Sequence, residues 1–305
     1  MQGREFLVLR LGFLLKKINN NSSGILLMIS AIFLLSIMDG FSKFLSQYYS
    51  VIAINMLRYW FFGTLILFLC FDKNKKNFFI PKSKFRLIQI FRGSILAVEM
   101  CFAHYCFLKI GLIETHAIFA SCPLIVAVLA LFILKEKFGW RRWLAIVFGF
   151  VGILIILRPG FKVFDPIALI AVACSVAFAL YQVLTRYVSS DDETNTSFFY
   201  TGVAGFIILS FIGPFFITEI LIIDAFYIFL VCCLGTGGHF LMINAFKKAE
   251  ASLLQPFVYF HLVFVSIIGV FIFNEKIEFS VVIGSAMIII SGLYTFWREK
   301  VKSDV

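Results

Sequence analysis

FLKIGLIETHAIFASCPLIVAVLALFILKEK, residues 107–137, returns in outline as FKKAEASLLQPFVYFHLVFVSIIGVFIFNEK, residues 246–276. Both copies open on Phe and lysine, turn briefly and end on Glu-Lys, at Glu136–Lys137 and Glu275–Lys276. Between these ends lie the roughly 20 mostly apolar residues that one helical crossing of a bilayer needs. Equivalent positions are 139 residues apart. Each copy is followed by one more apolar stretch with small residues, Ala145, Gly149 and Gly152 in the first and Gly284 and Gly292 in the second. Small residues let helices approach closely in lipid, so these read as packing positions.

Working outward, stretches of spanning length recur at about 24–48, 51–71, 86–108, 113–134, 140–158, 166–188, 195–217, 225–247, 251–273 and 280–297. Lipid offers no partner to a backbone amide, so spans of this kind are helices. The predicted class is an all-α integral membrane protein of ten transmembrane helices. Composition agrees: 61% of the 305 residues are hydrophobic and 14% charged, against about 25% charged in soluble domains. The mean hydropathy is +0.99. The net charge of +10 would suit a nucleic-acid binder, but its placement argues otherwise. Lys and Arg gather in alternate loops, 20 on one side against 4 on the other, which by the positive-inside rule puts both termini in the cytoplasm. Nucleic acid is therefore not an expected partner. The seven cysteines form no CxxC, and Cys101–His104–Cys106 is too weak a pattern to predict a metal site.

Five spans per half is an odd number, so the second half enters the membrane inverted. The loops after the repeated segment agree: KEKFGWRR (135–142) is strongly basic, whereas NEKIEF (274–279) carries one lysine against two glutamates. Inverted repeats characterise transporters, with the site near the midplane where the halves meet. The order and spacing of ALYQVLTRYV (179–188), LLQPFVYFHLVF (253–264), FNEK (273–276), LKEK (134–137) and RPG (158–160) resemble the drug/metabolite transporter superfamily, with two EamA-type repeats around a central cavity. DGFSK (39–43), FRG (91–93) and the Pro-Phe-x-Tyr run at 256–259 look most like its S-adenosylmethionine-uptake branch. The chain departs from that branch at Glu99, where the resemblance implies a small residue. The resemblance implies repeats over 24–160 and 166–297, a cytoplasmic extension over 1–23, which its basic residues could lay on the membrane surface, and a cytoplasmic tail over 298–305. It also implies a multi-pass protein of the bacterial inner membrane.

Candidate site residues follow from polar groups inside spans. A charge at the bilayer centre costs at least about 2.5–3.5 kcal/mol, so Glu99 should face the bundle interior or a cavity. It is expected to bind a cationic or amine-bearing group or to take up a coupling proton, the one cofactor-like species expected; the plainer reading pairs it with Arg92. The repeat offset matches Glu99 to Gly238 in the glycine-rich LGTGGHF (234–240), expected to weaken its helix and leave space. His239, His261, Tyr181, Gln182 and Tyr259 are further candidates for substrate contact, Tyr259 because Pro256 three residues earlier can turn it inward. His104 lies on another face of its helix from Glu99. Asp39 and Lys43, at i and i+4, are expected to pair near one mouth, with Gln182 and Arg186 in the related place near the other. Arg58 is expected to snorkel or to pair with Asp39.

The expected function is secondary transport of a small polar or amphiphilic metabolite (an amino acid, an amine or an S-adenosylmethionine-like molecule) by alternating access. No P-loop suggests ATP-driven motion. The rivals are an intramembrane lipid-modifying enzyme, for which HExxH and GxSxG are both missing, and a non-transporting scaffold. The expectation is therefore not an enzyme. Monomer and homodimer are both left open.

Overall fold

A computed structural model of the chain describes residues 2–72, 77–78, 80–135, 140–157 and 166–303. The helices are α1 (Gln2–Leu45), α2 (Val51–Cys70), α3 (Arg86–Lys109), α4 (Leu112–Phe119), α5 (Cys122–Ile133), α6 (Trp140–Leu157), α7 (Pro166–Val188), α8 (Thr194–Ile212), α9 (Ile222–Lys248), α10 (Ala251–Val258), α11 (Phe260–Phe273) and α12 (Phe279–Ser303). A two-residue antiparallel ladder, Phe71–Asp72 with Asn77–Phe78, joins α2 towards α3. Among the described residues eight segments are long and apolar enough to cross a membrane, and shorter apolar stretches at Val147–Ile156 and Phe279–Ser291 lie in α6 and α12. The fold is the ten-helix membrane bundle, with the fourth and ninth spans each built from two pieces. Glu136, Lys137 and the RPG at 158–160 lie outside the described residues.

Those two interruptions fall at equivalent places. The fourth span breaks at Ala120–Ser121, just before Pro123 in the first turn of α5. The ninth breaks at Tyr259, three residues after Pro256 inside α10. Proline removes an amide donor and crowds the preceding turn, so it is tolerated at a helix start and disrupts an interior.

The pairing of helices has the exchange pattern of an inverted repeat. α1 lies along α9, and α3 against α7 repeats that arrangement with the halves exchanged. α5 against α7 is likewise matched by α11 against α1, while α2–α8 and α6–α12 are their own counterparts. Small residues bring these helices close. A Cβ on Gly152 would lie 2.7 Å from the Gly284 carbonyl oxygen, and one on Gly284 2.5 Å from that of Gly152. Bulky side chains such as Phe68, Phe132, Phe211 and Phe271 are exposed around the outside, where hydrocarbon replaces water as their solvent.

The glycine-rich run does not interrupt its helix, contrary to expectation: α9 is continuous from Ile222 to Lys248. The glycines serve approach instead. A Cβ on Gly238 would lie 2.8 Å from Leu35 Cγ and 3.3 Å from the Ala31 carbonyl oxygen, and one on Gly235 2.8 Å from Met38 Sδ. Intrahelical hydrogen bonds outweigh the glycine penalty of about 1 kcal/mol per residue once α1 covers that face.

Candidate functional site

A cavity lies where the two repeats meet. Leu35, Met38 and Asp39 reach it from α1, Glu99, Met100 and Phe107 from α3, His116 from α4, Phe178 from α7, His239 from α9, and His261 from α11, with Tyr259 at the ninth-span break. Its free volume is about 50 Å³, room for a few waters, whereas small-molecule sites typically occupy about 300–1,000 Å³. Loading a metabolite therefore requires the helices to part.

The polar groups of the cavity fall into two sets. The first has no partners. Among the described residues none donates a hydrogen bond to the Glu99 carboxylate, although Glu99 is only 4% exposed. Both ring nitrogens of His239 and the hydroxyl of Tyr259 are also buried without a hydrogen-bond partner. Buried polar groups are nearly always paired, so these groups around one hollow set it apart from the packed core. Glu99 also lines an apolar groove of about 510 Å³ between α3 and α7, together with Phe91, Val98, Phe102 and Ile170.

The second set gathers around Asp39. Asp39 Oδ2 lies 3.1 Å from His116 Nε2 and 3.0 Å from His261 Nε2. His116 Nδ1 lies 2.9 Å from the carbonyl oxygen of Leu112. His104 Nε2 is 3.9 Å from Asp39 Oδ1, and its Nδ1 is 3.0 Å from the amide nitrogen of Asn55. The ligand atoms of Asp39, His116 and His261 lie within 4.8 Å of one another.

Beyond this cluster Lys43 and Glu275 join the two repeats. The Lys43 ammonium meets the Glu275 carboxylate, which also accepts the backbone N–H groups of Leu112 and Ile113, both at 2.8 Å. A carboxylate suits the first turn of α4, where amides lack intrahelical acceptors and the helix dipole is positive. Gly111 has φ +95° there, and a Cβ on it would stand 3.2 Å from the Glu275 carboxylate. Asn274, left-handed at φ 53°, ends α11 and aims Glu275 back across the mouth.

Several predicted pairings are thus re-assigned. Lys43 pairs with Glu275 rather than Asp39, and Asp39 is held by histidines. Arg92 does not pair with Glu99: its guanidinium donates to Gln89, Thr185 and the Ser197 carbonyl. Arg58 neither snorkels nor bonds Asp39; it is buried, with Met38 and Met100 sulfurs against its Nη1 and Tyr59 under its guanidinium. Arg186 donates to the Phe246 carbonyl, and Gln182 takes a hydrogen bond from Gln255 while donating to Cys122 Sγ. Of the substrate-contact candidates, Glu99, His239, Tyr259 and His261 line the cavity, whereas Gly238 packs on Leu35. Tyr181 is buried beside Phe178 and edge-on to His239. His116 was missed. Its signal was the repeat itself, which aligns it with Gln255, another polar residue inside an apolar span.

The model of the EamA-like transporter family matches residues 22–158 and again 165–297. The chain is 28% identical over 270 residues to an S-adenosylmethionine uptake transporter of Rickettsia prowazekii, covering 87% of this chain and 89% of that protein. It is 27% identical over 194 residues to a riboflavin transporter of Vibrio cholerae, covering 60% and 62%. A crystal structure of a protein aligns with a TM-score of 0.62 at 15% identity, over 89% of this chain and 95% of that one, a likeness of fold.

Proposed function

We propose, from the premise that this chain belongs to the EamA-like transporter family, that the cargo of this multi-pass membrane transporter is a small metabolite bearing a positive charge, bound in the midplane cavity. The observation that carries the reading is a Glu99 carboxylate to which no described residue donates, beside the buried, partnerless nitrogens of His239 and hydroxyl of Tyr259. A carboxylate in low dielectric attracts a cation far more strongly than it would in water. Around it Met38, Met100, Phe107 and Phe178 supply polarizable and aromatic walls on which a flat ring or an onium group can rest. S-adenosylmethionine has a sulfonium cation, an ammonium group and a flat base, and the likeness to the Rickettsia carriers makes it the first cargo to test. The setting is the bacterial inner membrane with both termini cytoplasmic, which places the Lys43–Glu275 closure on the outer face. Alternating access then opens one mouth while the other is held. Glu99 is also the residue we assign to a coupling proton.

The deciding experiment is a thermal-shift screen of the detergent-solubilised protein against S-adenosylmethionine, amino acids and amines, followed by flux into liposomes. Ligands that bind the folded state raise its melting temperature by mass action. The expected result is a shift with a cationic ligand, weakened at least tenfold in affinity by Glu99→Gln. A Glu99→Gln protein that binds and transports with an unchanged rate and pH profile would remove both roles given to Glu99. The apolar groove reaching Glu99 between α3 and α7 favours an amphiphilic amine as the second cargo to try.

A further inference from the structure

Both nitrogens of His116 face acceptors. Nδ1 lies against the Leu112 carbonyl and Nε2 against the Asp39 carboxylate. Flipping the ring would lose both contacts, so the orientation is fixed. A neutral imidazole has one N–H, and the carbonyl, which can only accept, takes it at Nδ1. The lone pair on Nε2 then points at Asp39 Oδ2, 3.1 Å away. One positive particle has to lie between them, a proton or a metal ion.

We propose that Asp39, His116 and His261 bind a divalent transition-metal ion of the zinc, cobalt and nickel class. Three features favour the metal. The ligand atoms converge from three helices, α1, α4 and α11, and already lie within 4.8 Å of one another. Tetrahedral zinc with bonds of about 2.0–2.1 Å needs ligand atoms roughly 3.3 Å apart, close to the two observed separations of 3.1 and 3.0 Å. Side-chain adjustment brings the imidazoles together. The Leu112 carbonyl is the usual outer partner of a metal-bound histidine, fixing the tautomer that presents Nε2 to the ion. The third feature is His104, fully buried, whose Nε2 has no hydrogen-bond partner and is aimed at the second oxygen of Asp39. Its Nδ1 accepts from Asn55, whose amide nitrogen is oriented by the Val51 carbonyl, so Nε2 carries the hydrogen. It is an outer donor for a metal-bound carboxylate.

Imidazole and carboxylate together select this class of metal over magnesium and calcium, which take oxygen ligands. Three protein ligands leave a coordination position open towards the hollow for water or for a donor atom of the cargo. A bound ion ties α1 of the first repeat, and α4 with it, to α11 of the second, next to the Lys43–Glu275 closure.

The test uses the full-length protein, free of any histidine tag, stripped with EDTA and held in lipid nanodiscs. Cobalt(II) is titrated and its visible ligand-field bands are read, then zinc is added to displace it. The expected result is one cobalt per chain, bleached by one equivalent of zinc. The bands should vanish in His116→Gln and His261→Gln and persist in Cys101→Ser/Cys106→Ser. His104→Gln should weaken binding roughly 10- to 100-fold, as outer-shell losses do. Two results overturn the proposal. One is a wild-type protein without cobalt bands, whose ¹⁵N-histidine spectrum, simple because the chain has only 4 histidines, then reads where the proton between His116 and Asp39 lies. The other is a band that survives both histidine variants. The wild-type arm decides even if a variant fails to fold, and neither result depends on the identity of the cargo.

Discussion

Asp39 with His116 and His261 has a counterpart in the other half of the molecule, and the counterpart is neutral. Offset by 139 residues, His116 corresponds to Gln255 and His261 to Cys122; Gln182 of the sixth span, one helical turn beyond the offset position, takes the place of Asp39 by its hydrogen bonds. The hydrogen bonds match as well. Gln255 Nε2 donates to Gln182 Oε1 at 3.0 Å, and Gln182 Nε2 to Cys122 Sγ at 3.3 Å. The two broken spans therefore clasp the first helix of each repeat in the same way, once through titratable groups and once through amides and a thiol. The difference shows that the geometry of the clasp is set by the fold and its charge by the individual side chains. A neutral clasp holds helices together; a charged one can also exchange ions.

Breaking the charged clasp singly should do the most damage. Asp39→Asn removes the carboxylate that holds His116 and His261, and losing one partner of a buried charged pair typically costs about 3–5 kcal/mol. Unfolding in mixed micelles should register that loss, along with abolished flux. A cost no larger than that of Gln182→Leu would end the distinction between the two clasps. Glu275→Gln comes next: it loses the Lys43 pair and weakens two hydrogen bonds to α4, and about 2–4 kcal/mol is expected. A double-mutant cycle with Lys43→Met measures the share of the ion pair. Gln182→Leu or Gln255→Leu should cost only about 1–2 kcal/mol, the penalty for leaving one buried amide short of a partner.

The triple exchange Asp39→Gln/His116→Gln/His261→Cys sharpens the comparison further by building the neutral clasp in both halves. Its stability should return to within about 1–2 kcal/mol of wild type, because replacing a whole buried charged cluster is far gentler than breaking it. Cobalt binding should be absent. The smallest effect belongs to the surface: Lys84→Ala breaks an exposed pair with Asp191, 3.2 Å apart, and should leave the melting temperature unchanged. Hydrogen bonds from Ser190 and that lysine lower the Asp191 carboxyl below its usual range, so the pair is lost only in acid, as the pH falls through the lowered value.

The bundle and its repeat were legible because they rest on periodic, local signals: apolar runs of spanning length, basic loops and a proline three residues before the ninth-span break. Partner choice was not legible. Asp39 and Lys43 share a helical face, which made them look like a pair, but their partners are His116, His261 and Glu275, as many as 232 residues away. Arg92 and Glu99 failed for the same reason. A helical wheel shows which residues share a stripe and says nothing about which helix lies opposite. Gly238 was misjudged differently: glycine weakens an isolated helix, but in α9 it admits α1, and the resulting close packing outweighs the weaker helix propensity.

The interruptions at Ala120–Ser121 and Tyr259 have a mechanical consequence. Each divides a membrane crossing into unequal arms, the shorter being the eight-residue α4 or α10. An arm of that size is about 12 Å long at 1.5 Å per residue, so pivoting it by about 20° displaces its tip by about 4 Å. Such a swing widens a passage for water or solute at one face while α5 or α11 stays seated among acyl chains. Little lipid has to be pushed aside, and turnover should depend only weakly on bilayer thickness.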